Sequence, residues 1–167
     1  MLALAVPSTA LAMTARERDA LTEIPATPRR AGSGNAPTAG AGEAQLLDEI
    51  NRVRSARGLP ALRGDRRLAL AARWQSAYML RTNTFSHHAF TWRIRRARAR
   101  GPAFSENIAL TPGRTTDARV VVQMWMASPP HRANLLRSGF RRIGLAAAVG
   151  PFQGTAAALV TAEFAGR

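Results

Sequence analysis

The chain predicts an α+β domain in which helices come first and strands last. Three observations carry this. Apolar residues recur at helical spacing in successive segments between Ala44 and Trp125. From Ile143 onward the period changes, to two small-residue apolar runs separated by turn chemistry. Apolar residues make up 46% of the 167, enough to bury a core in one domain of ordinary size, and the elements do not alternate as βαβ units would.

Taken in order, residues 1–12 read as the remnant of a secretory signal. Leu2 to Val6 is apolar, and Ala10-Leu11-Ala12 has the small-x-small pattern that precedes a cleavage site. No positive n-region is present, so a start codon further upstream is expected. Residues 13–43 read as a disordered linker. Stretches such as Ile24-Pro25-Ala26-Thr27-Pro28 are too rich in Pro, Gly and Ala to order themselves by burial. The folded domain is expected over 44–167.

Its first helix carries Ala44, Leu47, Ile50 and Val53 and stops at Gly58. Leu59 to Leu62 is an extended connector. Asp65 caps a second helix, with Leu68, Ala71, Ala72, Gln75 and Tyr78 along one side to about Thr82. Phe85 to Phe90 is a loop, and Trp92 to Arg100 a short basic helix ending at Gly101. Phe104 to Ala109 is strand-like. Asp117 or Thr116 caps a third main helix, which Ser128-Pro129-Pro130 stops. Ile143–Val149 and Ala157–Phe164 form a hairpin of two buried strands, with Gly150-Pro151 and Gly154 supplying the turns.

Composition excludes several functions. Without cysteine there is no disulfide framework, thiolate zinc site or cysteine nucleophile. No apolar run reaches the ~18 residues of a membrane span. The formal charge is +14, and every basic residue is arginine. Residues 1–44 are balanced; the whole excess lies in 45–167. Two readings of that excess stand side by side. A high-GC coding bias would turn lysine positions into arginine, and a basic domain is drawn to anionic surfaces or polymers. Only 6% of residues are aromatic and no stacking motif is present, so no specific nucleic acid is expected. The domain is expected to be a monomer.

The residues able to carry chemistry are few. The histidines are His87, His88 and His131. Asp65 and Asp117 are accounted for as caps, and Asp48 and Glu49 as a solvated helix face. Glu106 and Glu163 are different, because each interrupts an apolar run. A carboxylate there must find an imidazole, a cation or several amides. The sharp expectation is a cluster of His87, Glu106 and His131. Two imidazoles, one carboxylate and an open position would suit Zn²⁺ or a similar divalent ion, including Mg²⁺ or Ca²⁺. The bland one is histidines hydrogen-bonded for structure and a glutamate held by backbone amides.

Five motifs in order sharpen the choice: Asn51-x-x-Arg54; Phe85-Ser86-His87; Ser105-Glu106-Asn107-Ile108-Ala109; Trp125-Met126-x-Ser128-Pro129-x-His131-Arg132-x-Asn134-Leu135-Leu136; and Phe140-x-x-Ile143-Gly144. Together they resemble the CAP superfamily, the SCP domain of cysteine-rich secretory, antigen-five and pathogenesis-related proteins. The likeness is to its cysteine-free bacterial branch and covers about residues 45–165. The resemblance implies a three-layer α-β-α sandwich with a wide cleft lined by two histidines and acidic residues, which in several members hold a divalent metal. His87, Glu106 and His131 match that set. The fourth acidic position falls near Ser128, leaving three ligands; His88 is extra. Trp125 and Phe140 are expected in the core, Asn107 and Asn134 as ties from loops to backbone, and Arg132 as a partner of Glu106 or of backbone carbonyls. Asn51 and Arg54 are expected to anchor the first helix to the loop near His131.

The resemblance therefore implies a secreted or envelope-associated binding module. Its cleft would hold a divalent ion, and its partner would be a lipid or an anionic envelope component. The alternative is a peptide or ester hydrolase, with a metal-bound water or with Glu106 as base beside His87 or His131. No nucleophile elbow or zinc-protease helix motif accompanies it, and Ser86 merely adjoins His87.

Overall fold

The computed structural model describes residues 39–114 and 116–166. The stretch read as a signal remnant and residues 13–38 of the linker lie outside them. Among the described residues are five helices and four strands: α1 (Ala39–Ser55), β1 (Arg63–Gly64), α2 (Arg66–Thr82), α3 (Phe90–Arg96), β2 (Phe104–Pro112), α4 (Ala118–Ala127), α5 (Pro129–Leu136), β3 (Phe140–Phe152) and β4 (Thr155–Gly166). No helix among them is long and apolar enough to cross a membrane.

The sheet order is β1-β3-β4-β2. The hairpin of β3 and β4 forms its centre, and the turn at Gln153-Gly154 has positive φ at both residues, 49° and 84°. That turn matches the twist of the flanking strands. β2 adds antiparallel to β4, and β1 parallel to β3. α2 packs on β3 and β4, and α3 packs on α2. α1, α4 and α5 pack together, against β2 and β3. The result is helices on both faces of a sheet, the α-β-α sandwich that the resemblance implies. One core joins Leu46, Ile50, Val121, Trp125, Phe140, Val160 and Phe164 beneath α1, α4 and α5. A second joins Leu68, Ala71, Trp74, Ile94 and Ala165 beneath α2 and α3. The closest approach is at Gly144, where a Cβ would stand 2.0 Å from the backbone of Leu68 and Ala69. Only glycine lets α2 lie this close to β3.

Local chemistry explains the boundaries. Asp65 and Asp117 cap α2 and α4, each accepting from two backbone N–H groups. Four details differ from the sequence expectation. Residues 39–43, read as the end of the linker, are helical. The basic helix spans 90–96 and gives way to a turn with Arg98 at φ 55°. Ser128-Pro129-Pro130 ends α4 and also opens α5, since proline fits the first turn, where its missing N–H has no helical partner. The hairpin strands are longer, at 140–152 and 155–166.

Candidate functional site

The site forms around β2, an edge strand. Side chains alternate across a strand, so Glu106 and Asn107 point to opposite faces. Glu106 faces the α2–α3 layer. Asn107 faces α5, donating from Nδ2 to His131 O at 3.0 Å. Asn134 Nδ2 donates to Glu106 O at 3.3 Å and to Asn107 Oδ1 at 2.9 Å. These amides dock α5 on the strand, as expected of them, and carry His131 to its edge. On the other side the loop between α2 and α3 brings His87, whose Nδ1 lies 2.7 Å from Glu106 Oε1. The His87 and His131 rings meet across the edge with centroids 6.5 Å apart, tilted by 44°. The structure thus gathers all three predicted residues, drawn from a loop, an edge strand and a helix of the opposite layer.

Beneath them lies a buried ionic network. Arg93 of α3 is fully buried. Its second terminal nitrogen donates to Glu106 Oε2 at 2.6 Å, the first donates to Glu163 Oε1 and to Ala71 O, and Nε donates to His88 O at 2.9 Å. Glu163 stands directly across from Glu106 in the β2–β4 register and is more deeply buried still. Burial alone would raise Glu106, but the hydrogen bond from His87 and the charge of Arg93 outweigh it and hold Glu106 below the usual carboxylate value. Burial and repulsion from Glu106 push Glu163 well above that value, against the charge of Arg93. Burial, then the neighbouring His87, hold His131 below the usual histidine value.

A neutral His87 that donates Nδ1–H to an ionised Glu106 carries its free lone pair on Nε2. Glu106 itself has both carboxylate oxygens engaged and its side chain is only 3% exposed. Among the described residues, no group of three or more His, Asp or Glu side chains is arranged to hold a metal ion.

The remaining expectations resolve as follows. The cation on Glu106 is Arg93 rather than Arg132, which lies exposed on α5. Arg54 ties α1 to the α5–β3 connection as expected, while Asn51 instead holds both backbone groups of Leu62. His88 stacks on Tyr78, with centroids 4.1 Å apart, rather than on the other histidines. Trp125 and Phe140 are core residues. Sequence reasoning missed Arg93, although a signal was there. Phe90, Ile94 and Ala97 form an apolar helical stripe, and Arg93 sits inside it.

Fold and site together define an α-β-α sandwich with an imidazole pair at the sheet edge. The chain belongs to the cysteine-rich secretory protein (CAP) family, whose model matches residues 47–163. It is similar to an extracellular SCP-domain protein from Bacillus anthracis, with 27% identity and a TM-score of 0.66 over 81% of this chain and 45% of that one. It is similar in fold to a cysteine-rich secretory protein from Staphylococcus aureus, with 19% identity and a TM-score of 0.62 over 84% and 44%. An outer surface protein of Borrelia burgdorferi shares the fold along its full length, with 20% identity and a TM-score of 0.59 over 81% of this chain. The chain spans less than half of the Bacillus and Staphylococcus proteins. No curated protein matches it.

Proposed function

We propose that the chain is an exported, non-enzymatic binding module whose edge cleft presents His87 and His131 to a divalent ion and to the ligand that the ion recruits. Kinship with extracellular and outer-surface proteins supports the location. The observation that carries the site is the 2.7 Å bond between His87 Nδ1 and Glu106, with the His131 ring 6.5 Å away. A carboxylate on one imidazole nitrogen is the usual outer partner of a ligating histidine. His87 and His131 would hold the ion, and Glu106 would orient His87 rather than stand as a third ligand. Two imidazoles favour a zinc-class ion over Mg²⁺ or Ca²⁺. When bound, it would give the cleft a positive centre with exchangeable positions.

The geometry does not favour hydrolysis. Glu106 is held ionised with both oxygens committed, which makes it a weak base. The test is thermal unfolding with and without Zn²⁺, Mg²⁺ and Ca²⁺. Zinc is expected to raise Tm by several degrees near pH 7, more than the other two, and His131→Ala to lose that gain. An equal gain in His131→Ala would overturn the proposal.

A further inference from the structure

Between Asp65 and Glu106 the chain carries nine arginines and not one acid. This stretch is α2, the histidine loop and α3, which among the described residues make up the helical layer on one side of the sheet. Arg93 is consumed by the buried network; the other eight are exposed. Among the described residues, none of the eight is in an ion pair: the pairs formed there are Arg52–Glu49, Arg142–Asp65 and those of Glu106 and Glu163. Asp65, which caps α2, is paired with Arg142, and Glu43 at the start of α1 feels the charge of Arg73. The exposed acids Asp48 and Asp117 belong to the opposite layer. A coding bias accounts for arginine in place of lysine, but not for the removal of acids from one layer only.

The arginines are also ordered among aromatics. Arg67, Trp74 and Arg81 are seven apart on α2 and so share one stripe. Arg96 lies over the Trp74 ring at 6.0 Å, Trp92 is 6.1 Å from Trp74, and Arg67 donates to Arg98 O at 3.1 Å. Half-buried Trp92 packs on the stripe through Trp74, and exposed Phe85 follows the end of α2 by three residues.

We propose that this layer docks on an anionic bilayer surface, with guanidinium groups meeting lipid phosphates and Trp92 and Phe85 reaching the headgroup level. The inference deepens the exported reading of the protein and is separable from the cleft. A nucleic acid fits less well, because base stacking needs successive open ring faces, and among the described Trp, Tyr and Phe side chains of this layer only Phe85 is exposed. Trp74 is covered by Arg96 and Trp92, and Tyr78 by His88. An enclosed polymer strand fits less well too. A hollow of about 340 Å³ lies between α1, the start of α2 and β3, and one of about 660 Å³ between α1 and the start of α4; neither is lined by Arg67, Trp74 or Arg81.

The test is sedimentation of the full chain with vesicles of mixed phosphatidylglycerol and phosphatidylcholine, and with pure phosphatidylcholine, at ~0.15 M salt. Binding is expected only with the anionic vesicles, with a blue shift of tryptophan fluorescence that Trp92→Phe diminishes. Each arginine near such a surface contributes about fivefold, so Arg67→Gln/Arg81→Gln/Arg96→Gln is expected to lose on the order of 100-fold. Arg81→Gln/Arg95→Gln, which disturbs none of the contacts named above, is expected to lose about 25-fold. Arg52→Gln/Arg119→Gln on the other layer is expected to change little. Equal binding by the triple variant, or binding to soluble polyphosphate or DNA without binding to vesicles, would overturn the proposal. His131→Ala is expected to bind vesicles normally, so failure here and failure of the cleft reading are told apart.

Discussion

Among the described residues two arginines are wholly buried, and they are buried differently. Arg54, on α1, meets only carbonyl oxygens: Pro60 at 2.9 Å, Leu135 at 2.6 Å, Arg137 at 3.2 Å and Phe140 at 3.4 Å. Burial, and then the nearby charge of Arg141, pull its pKa below the usual arginine value. Arg93 meets two carbonyls and two carboxylates. Both residues sit on the apolar stripe of a helix, and both join segments far apart in sequence. Arg54 stitches backbone to backbone, its five-donor fork matched to carbonyls converging from the 60 and 135–140 segments. Arg93 governs the ionisation and aim of other side chains, and through Glu106 it reaches His87. A buried cation among dipoles is a fastener; one among carboxylates is part of the site.

The comparison predicts a ranking. Arg93→Met is expected to cost most, about 3–5 kcal/mol at pH 7, because it leaves Glu106 and Glu163 facing each other in the interior without a cation. Urea unfolding measures this, and adding Glu163→Gln is expected to restore part of the loss. Arg54→Met is expected to cost about 2–3 kcal/mol, the penalty of taking the donor from the Pro60 and Leu135 carbonyls. Nitrogen NMR of the imidazoles sharpens the contrast: Arg93→Lys is expected to shift the His87 signals, whereas Arg54→Lys leaves them in place. Arg54→Met costing as much as Arg93→Met, or shifting the His87 signals, would erase the distinction.

Much of this was legible in the sequence. The helices followed from apolar spacing and aspartate caps, and the hairpin from two small-residue runs. Glu106 and Glu163 stood out as carboxylates in apolar strands. The network that joins them did not, because it depends on register. Glu106 meets Glu163 only because β2 pairs with β4 at that offset, 57 positions apart by 163 − 106. Nothing local fixes such an offset. Arg93 was hidden by its neighbours: in Trp92-Arg93-Ile94-Arg95-Arg96 it reads as one more solvated charge unless its helical face is counted. The second role of Ser128-Pro129-Pro130 was hidden because the residues that end one helix also suit the start of the next.

The smallest effect separates the two carboxylates that Arg93 serves. Glu163 has its pKa raised in the folded protein. The stability it contributes is full below the ordinary value of about 4.5 and is lost as pH rises through the raised value. Glu106 has its pKa lowered, so its contribution is present above about 4.5 and is lost as pH falls through the lowered value. Glu163→Gln removes the first dependence, and with it the hydrogen bond by which Glu163 helps to lower Glu106, so the two proteins are compared from pH 4.5 upward. At pH 4.5 the variant is expected to lie within about 1 kcal/mol of the parent, since an amide replaces a carboxyl that is already protonated. As pH rises toward 8 the difference is expected to move steadily in the variant's favour. Histidine titration is shared by both proteins and drops out of the difference. A difference that stays flat from pH 4.5 to 8 would show that Glu163 is ionised throughout. Arg93 would then balance two negative charges and not one.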